Sequence, residues 1–344
     1  MKTVPILFTF DQSLELAAGV CLTSLLESAE ASTFYDIFVL HGPGCDFSGS
    51  RLNALPERYG NCRLTFRKVE GEFVGGYEVR GIPETAYYRL LSPELIPEYD
   101  KILYSDVDVI IREDLSRYYE MDLGENYFAG VDNGSRLRPA FRKYITDTLG
   151  LDWKKGYYYS GNLVIHSALL RSGGLLKAFR SLGKNAYLYQ DMDIINLACN
   201  GRFLPLGPSF CMTVQLYDLI VDRRKEMEEI YGKEEIDRAL SCGIVHYNGA
   251  KPWKEDCPNM DLWWACYRRS LFLTNALPGT SGPPGATPWK GSRFSNASNC
   301  SFAIPWTAKS DESRHPHHAQ GAELRFGAPG LCPAAKARLA GLSQ

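Results

Sequence analysis

The stretch KILYSDVDVIIRED, Lys101 to Asp114, sets two carboxylates, Asp106 and Asp108, inside an otherwise apolar run. Ile102, Leu103 and Tyr104 lead in, and Val109, Ile110 and Ile111 lead out. Such a run, rich in β-branched residues, predicts a buried strand that breaks or ends at the aspartates. Burying two charges there is costly unless something pairs with them. Residues i and i+2 of an extended segment point the same way, so both carboxylates can converge on one hard cation, which can in turn bridge to phosphate oxygens. The alternative is a surface turn with two solvated aspartates, and the apolar triplets on either side argue against it.

Working outward, Val4 to Phe10 predicts a first strand that stops at Asp11. Leu14, Ala17, Cys21 and Leu25 recur at helical spacing between Ser13 and Ala29, with Ser13 as the N-cap. Ile37 to Leu40 predicts a second strand, and the alternation of Leu64, Phe66 and Lys68 a third. This order is the α/β pattern of a mostly parallel central sheet with flanking helices. Ligands of such sheets bind beyond the carboxyl ends of the strands, where Asp11, Asp106 and Asp108 fall. In GIPETAYYRLLSP, 81 to 93, Pro83 suits a helix's first turn, Tyr87, Leu90 and Leu91 its buried side, and Pro93 its stop. Arg89 then reads as a helix-surface residue or as a clamp for a diphosphate or for the nearby carboxylates, whose shape its donor fork matches.

Further on, YQDMDIIN at 189 to 196 opens a helix running to Asn200, with Gly201 ending it. Asp193 lies near that helix start, where negative charge is favoured. Arg223 to Arg238 reads as one solvated amphipathic helix. Asp261 to Leu273 reads as a closing helix whose Trp263, Trp264, Arg268 and Arg269 either pack the core or touch a membrane surface.

With 344 residues and 45% apolar content the chain can build a sizeable core. A formal net charge of -2 offers no general pull toward nucleic acid or anionic lipid, so an anionic ligand must be held locally. No stretch approaches the roughly 18 apolar residues of a membrane span, and the N-terminal apolar run is too short for a signal segment, which predicts a cytoplasmic protein. The ten cysteines lack C-x-x-C spacing and read as reduced thiols. From Pro278 the composition turns to Gly, Pro, Ser and Ala, so a domain over 1–274 is expected to be followed by a disordered tail over 275–344.

Five ordered motifs carry a resemblance: TAYYRL at 85 to 90, YDKILYSDVDVII at 99 to 111, YYYSGNLVI at 157 to 165, YQDMDIIN at 189 to 196 and HYNGAKPW at 246 to 253. Together they resemble glycosyltransferase family 8, the family of glycogenin and of bacterial galactosyl- and glucosyltransferases that build lipopolysaccharide. The similarity covers roughly residues 4 to 270. It implies a single Rossmann-like, nucleotide-sugar-binding domain of GT-A type. It further implies a retaining hexose transfer from UDP-glucose or UDP-galactose to a glycan or glycolipid acceptor, with Mn2+ or Mg2+ as cofactor.

Carried over by motif, Asp106, Asp108 and His246 hold the metal, and Gly249 and Lys251 meet the diphosphate. Thr9, Phe10 and Asp11 line the nucleoside pocket, Phe10 with core packing as its other option, and Val107 contacts the ribose through its backbone. Arg89 belongs to the donor site. Asp132 orients sugar hydroxyls, with a plain turn as its alternative, and Asp191 grips the donor sugar.

Two positions depart from the family. Many relatives carry asparagine where this chain has Tyr159, so the amide contact to the sugar is missing or comes from Asn162. Many place glutamine where this chain has Met192, close to the anomeric centre, and a thioether offers no amide oxygen there. Met192 argues against a covalent intermediate at that residue and leaves front-face attack guided by the UDP phosphate, or help from Asp191. A shifted donor preference, with Met192 packed against the sugar, is the other option, and Tyr159 and Met192 together also keep open a nucleotide-sugar binder without turnover. A haloacid-dehalogenase-type phosphatase also uses D-x-D after a strand, but at the first strand and followed by glycine or threonine, unlike this motif.

Overall fold

The computed structural model describes residues 1–73 and 84–273. The expected tail over 275–344 and Pro83 lie outside the described residues. The main sheet has seven strands in the order β3-β2-β1-β4-β7-β6-β8. These are β1 (Lys2–Thr9), β2 (Thr33–His41), β3 (Cys62–Lys68), β4 (Ile102–Ser105), β6 (Phe128–Val131), β7 (Asn162–Ile165) and β8 (Phe203–Leu206). All neighbours run parallel except β7, which is antiparallel to both β4 and β6. The mostly parallel α/β reading holds.

A second, three-stranded sheet has the order β5-β10-β9, with β5 at Val109–Ile111, β9 at Met212–Thr213 and β10 at Ile244–His246. Here β10 is antiparallel to β5 and parallel to β9.

The first helix, α1, spans Glu15–Glu27 and buries every residue from Ala17 to Leu26. A helix apolar on all sides must be covered on all sides. It packs against β5 and against the helix Met260–Tyr267. Its start differs from expectation. Asp11, not Ser13, is the cap: its extended backbone lets Oδ1 accept from the Ser13 N–H at 2.8 Å, which opens a short 3-10 turn before α1.

Three further helix readings need correction. Residues Glu84–Leu91 form a 3-10 helix, and Pro93 does not stop it but lies in the first turn of the helical turn Ser92–Leu95, where its missing N–H is harmless. The charged stretch is two helices, Arg224–Tyr231 and Lys233–Ser241, divided at Gly232, whose φ of +85° favours glycine. The closing helix is shorter, Met260–Tyr267. Trp263 is fully buried, tilted against Trp253 at 5.3 Å and stacked on Tyr267 at 5.6 Å. Trp264 donates to the Pro252 carbonyl, and Arg269 pairs with Glu27. Among the described residues no helix is long and apolar enough to cross a membrane.

Candidate active site

The chain leaves the large sheet after Ser105 and enters the small one at Val109, so Asp106 to Asp108 form the crossing between them. Two backbone bonds fix the crossing: the Asp106 N–H donates to the Gly161 carbonyl at 2.7 Å, and the Tyr247 N–H to the Asp108 carbonyl at 2.9 Å. His246 ends β10 opposite Val109. Its Nε2 lies 3.5 Å from Asp106 Oδ2 and 3.2 Å from Asp108 Oδ1. Ligand atoms of the three residues all lie within 4.8 Å of one another. Two carboxylates and an imidazole are a donor set that suits a hard or borderline divalent cation.

Gly161 is what lets the three approach. A Cβ at that position would stand 2.2 Å from His246 Cε1 and 2.8 Å from Asp106 Oδ2. Lys251 closes the other side, donating from Nζ to Asp108 Oδ2 at 2.5 Å and to the Tyr247 carbonyl at 2.6 Å. Gly249 is uncrowded, since a Cβ there would meet only Val214, at 3.8 Å. Burial alone would make the His246 imidazole less basic, but the adjacent Asp108 carboxylate, helped by Cys211, holds it up at about 10. Burial likewise opposes charge on Asp108, and His246 and Lys251 outweigh it, keeping that carboxyl below the usual carboxylate range.

Arg89 is the hub behind this corner. It is only 7% exposed, with Nη2 3.0 Å from Asp106 Oδ1 and Nε 3.3 Å from Asp191 Oδ2. It also donates to the carbonyls of Ala86 and Ser160, both at 2.8 Å, and lies over the Tyr104 ring at 4.3 Å. Of its sequence readings, the clamp on neighbouring carboxylates is the one realised; the helix-surface placement is not, because the 3-10 turn faces inward. Tyr104 donates from its hydroxyl to Asp106 Oδ1 at 2.6 Å and shares a 3.0 Å hydrogen bond with Thr9. Phe10 is fully buried and packs edge-on against Phe47 at 5.5 Å. The Val107 side chain is buried too.

The carboxylates farther along the chain meet protein donors. Asp132 accepts from the N–H groups of Ser135 and Tyr157, both at 2.8 Å, and from the Ser135 hydroxyl at 3.1 Å. Asp193, fully buried, accepts from the hydroxyls of Tyr157 and Tyr144 and from the Tyr189 N–H. Burial pushes the carboxyls of Asp191 and Asp193 up; Arg89 opposes this at Asp191, and the tyrosine hydroxyls oppose it at Asp193. Gln190, just before Asp191, has φ +46°, an uncommon backbone for a residue with a side chain, at the start of the helix Gln190–Ala198.

A model of the family described as Glycosyl transferase family 8 matches residues 5–257. The chain belongs to glycosyl transferase family 8. It is similar to general stress protein A of Bacillus subtilis strain 168, 21% identical over 248 residues, covering 69% of this chain and 83% of that one. It is 24% identical over 209 residues to the lipopolysaccharide 1,2-glucosyltransferase of Escherichia coli K12, covering 59% of this chain and 55% of that enzyme. Among solved structures, the galactosyltransferase LgtC in complex with donor and acceptor sugar analogues superposes with a TM-score of 0.64 at 25% identity, over 79% of this chain and 98% of that one. The bifunctional glycosyltransferase WbbM shares the fold at a TM-score of 0.64 and 21% identity, over 79% of this chain and 50% of that one. The GT-A-like fold and the glycosyltransferase family are thereby shown.

In this family 8 chain the two departures are built into the interior. Tyr159 is buried, and its hydroxyl accepts from Thr213 at 2.9 Å and donates to Gln215 at 3.3 Å. Gln215 also accepts from Asn248 at 2.7 Å, so Tyr159 is tied to the HYNGAKPW loop. Asn162 is fully buried, and its amide nitrogen donates to the Ser105 hydroxyl at 2.9 Å. Met192 joins the apolar core. Asn196 fastens the 157–159 segment to the Gln190–Ala198 helix, with its amide bonded to both the N–H and the carbonyl of Tyr158.

Tyr144, Tyr157, Asn196 and Cys211 carry no local sequence signal of the contacts they make. Their partners lie 35 to 49 positions away. Gly161 was the one legible signal among the missed positions, since a glycine between Ser160 and Asn162 interrupts a strand pattern.

Proposed function

We propose that this chain transfers a hexose, glucose or galactose, from its UDP conjugate to a glycan or glycolipid acceptor with retention of configuration. The setting is lipopolysaccharide or capsular polysaccharide synthesis at the cytoplasmic face of the membrane. The observation that carries the proposal is the convergence of Asp106, Asp108 and His246 on one point, flanked by Lys251 and backed by Arg89. The lipopolysaccharide 1,2-glucosyltransferase relative and the likeness to LgtC support it.

A divalent cation, Mn2+ or Mg2+, held by Asp106, Asp108 and His246 would neutralise charge on the departing diphosphate. Lys251 adds a positive charge beside Asp108, in position to meet a phosphate oxygen from the Gly249 side. Thr9, Asp11 and the Val107 backbone hold the nucleoside. Arg89 keeps Asp106 and Asp191 in fixed relation, so that the group gripping the sugar and the group holding the phosphate end move as one unit. Asp132 shapes the loop beside the sugar through its own hydrogen bonds. Met192 offers no nucleophilic oxygen, which leaves attack by the acceptor hydroxyl from the face of the leaving group, or help from Asp191.

Met192 also favours a second reading, a nucleotide-sugar binder without turnover. UDP release from a panel of nucleotide sugars, with Mn2+ and then with chelator and without acceptor, separates the two. Slow Mn2+-dependent hydrolysis of one donor is the expected result. Saturable donor binding without release, unchanged in Met192→Gln, supports the binder. Neither binding nor release, for any donor, overturns both.

A further inference from the structure

His246 has two ring nitrogens, and only one faces the carboxylates. Nε2 lies 3.2 Å from Asp108 Oδ1, whereas Nδ1 lies 3.5 Å from the sulfur of Cys211. The imidazole is 5% exposed and Cys211 fully buried, so the contact between them lies inside the protein. Cys211 follows the short turn Pro208–Phe210 and precedes β9, which pairs in parallel with β10 and sets Thr213 against His246. The register of these two strands thereby brings a thiol from 35 positions away to the back of the imidazole.

A histidine that binds a cation through one nitrogen keeps its proton on the other, and a partner for that N–H holds the ring in the required tautomer and orientation. A carboxylate, carbonyl or water usually fills this role. Cys211 is the side chain at that place in this chain, and sulfur can accept from N–H, though weakly. Removing it would leave a buried N–H without an acceptor.

We propose that Cys211 is a positioning residue for the cation: its sulfur accepts from His246 Nδ1–H and so aims the Nε2 lone pair at the point shared by Asp106 and Asp108. This rests on the cation-dependent reading of the site given above. It assigns a functional role to a thiol that otherwise passes for a packing residue.

The test is Mn2+ affinity of the full chain without donor, read from the free-Mn2+ signal in electron paramagnetic resonance, for the parent and three variants. Cys211→Ala should weaken Mn2+ binding by roughly 10- to 100-fold, the range for losing the outer partner of a metal-bound histidine. Cys211→Val keeps apolar bulk without an acceptor, and Cys211→Ser keeps an acceptor in less volume. Affinity in the order parent, Ser, then Ala and Val together supports the assignment. Affinity restored by Val and not by Ser identifies packing as the cause and overturns it. All variants within twofold of a parent that binds Mn2+ overturn the role of Cys211 and leave the cation site standing. A parent that binds no Mn2+ overturns the cation reading itself, and the Cys211 assignment with it.

Discussion

The two carboxylate-bearing corners of this molecule are built on opposite plans. At the sheet crossing, Asp106 and Asp108 point with His246 at one shared spot, and Lys251 approaches from the side. Along the 132–193 side, Asp132 and Asp193 are engaged by backbone N–H and tyrosine hydroxyl donors of their own surroundings. A carboxylate surrounded by neutral donors is held still and stabilises a loop; carboxylates facing each other across an imidazole repel unless a cation or proton stands between them. The first plan suits a binding point, the second a scaffold around it. Arg89 joins them, touching a carboxylate from each side, Asp106 and Asp191.

The largest expected effect therefore comes from cutting that link. Arg89→Met leaves two carboxylates without their buried partner and should cost about 3–5 kcal/mol of stability, measured by urea unfolding. A loss below about 1 kcal/mol would show that the corners are independent, since that is the scale of exposed pairs.

Next comes Asp108→Asn, which keeps the shape of the crossing and removes one charge. Turnover should fall by at least roughly 10² to 10³, the scale for losing one charge-stabilising group, and the thermal midpoint should fall as well, because Asp108 also pairs with His246 and Lys251. Parent-level activity would remove the binding corner from the chemistry.

The pH dependence is smaller and separates the corners in another way. His246 keeps a proton up to about pH 10, so a cation must displace it, and affinity for Mn2+ should rise with pH. For one displaced proton the gain is roughly tenfold per pH unit. Calorimetry in two buffers of different ionisation enthalpy would count the released proton, and a count of zero would exclude His246 as a ligand. Without cation the linkage has the opposite sense. Stability drawn from the raised His246 is complete below its ordinary value of about 6.5 and lost as pH climbs toward about 10. Stability drawn from the lowered Asp108 is present above about 3.9 and lost on acidification, so the pair stabilises the fold most between roughly pH 4 and 6.5.

The smallest effect expected is that of Tyr159→Phe, which removes one hydroxyl from the scaffold and leaves the ring. A loss of about 0.5–1.5 kcal/mol in stability is expected, with donor KM nearly constant. A large rise in KM would move Tyr159 from the scaffold to the sugar site and redraw the boundary between the two corners.

Much of the binding corner was legible in the chain. The apolar triplets around Asp106 and Asp108 announced a strand break with both carboxylates on one side, and the break is where the chain passes between sheets. The family motifs added His246 and Lys251, and the fold brings both to Asp108. The scaffold was far less legible. Nothing local distinguishes Asp193, which meets Tyr144 and Tyr157, from a charge favoured at a helix start. Arg89 reads from the sequence as either a helix-surface residue or a clamp, and only the inward-facing 3-10 turn decides between them.

By itself the sequence determined the strand-helix periodicity, the mostly parallel sheet and the carboxylate pair at a strand end, because burial pattern and the two-residue period of a strand are local properties. Tertiary structure decided which partners those groups meet: Cys211 behind His246, Gly161 beneath Asp106, Arg89 between Asp106 and Asp191. Such contacts are made across strand registers and sheet crossings, where residues dozens of positions apart come within hydrogen-bond distance, and no short-range pattern encodes that distance.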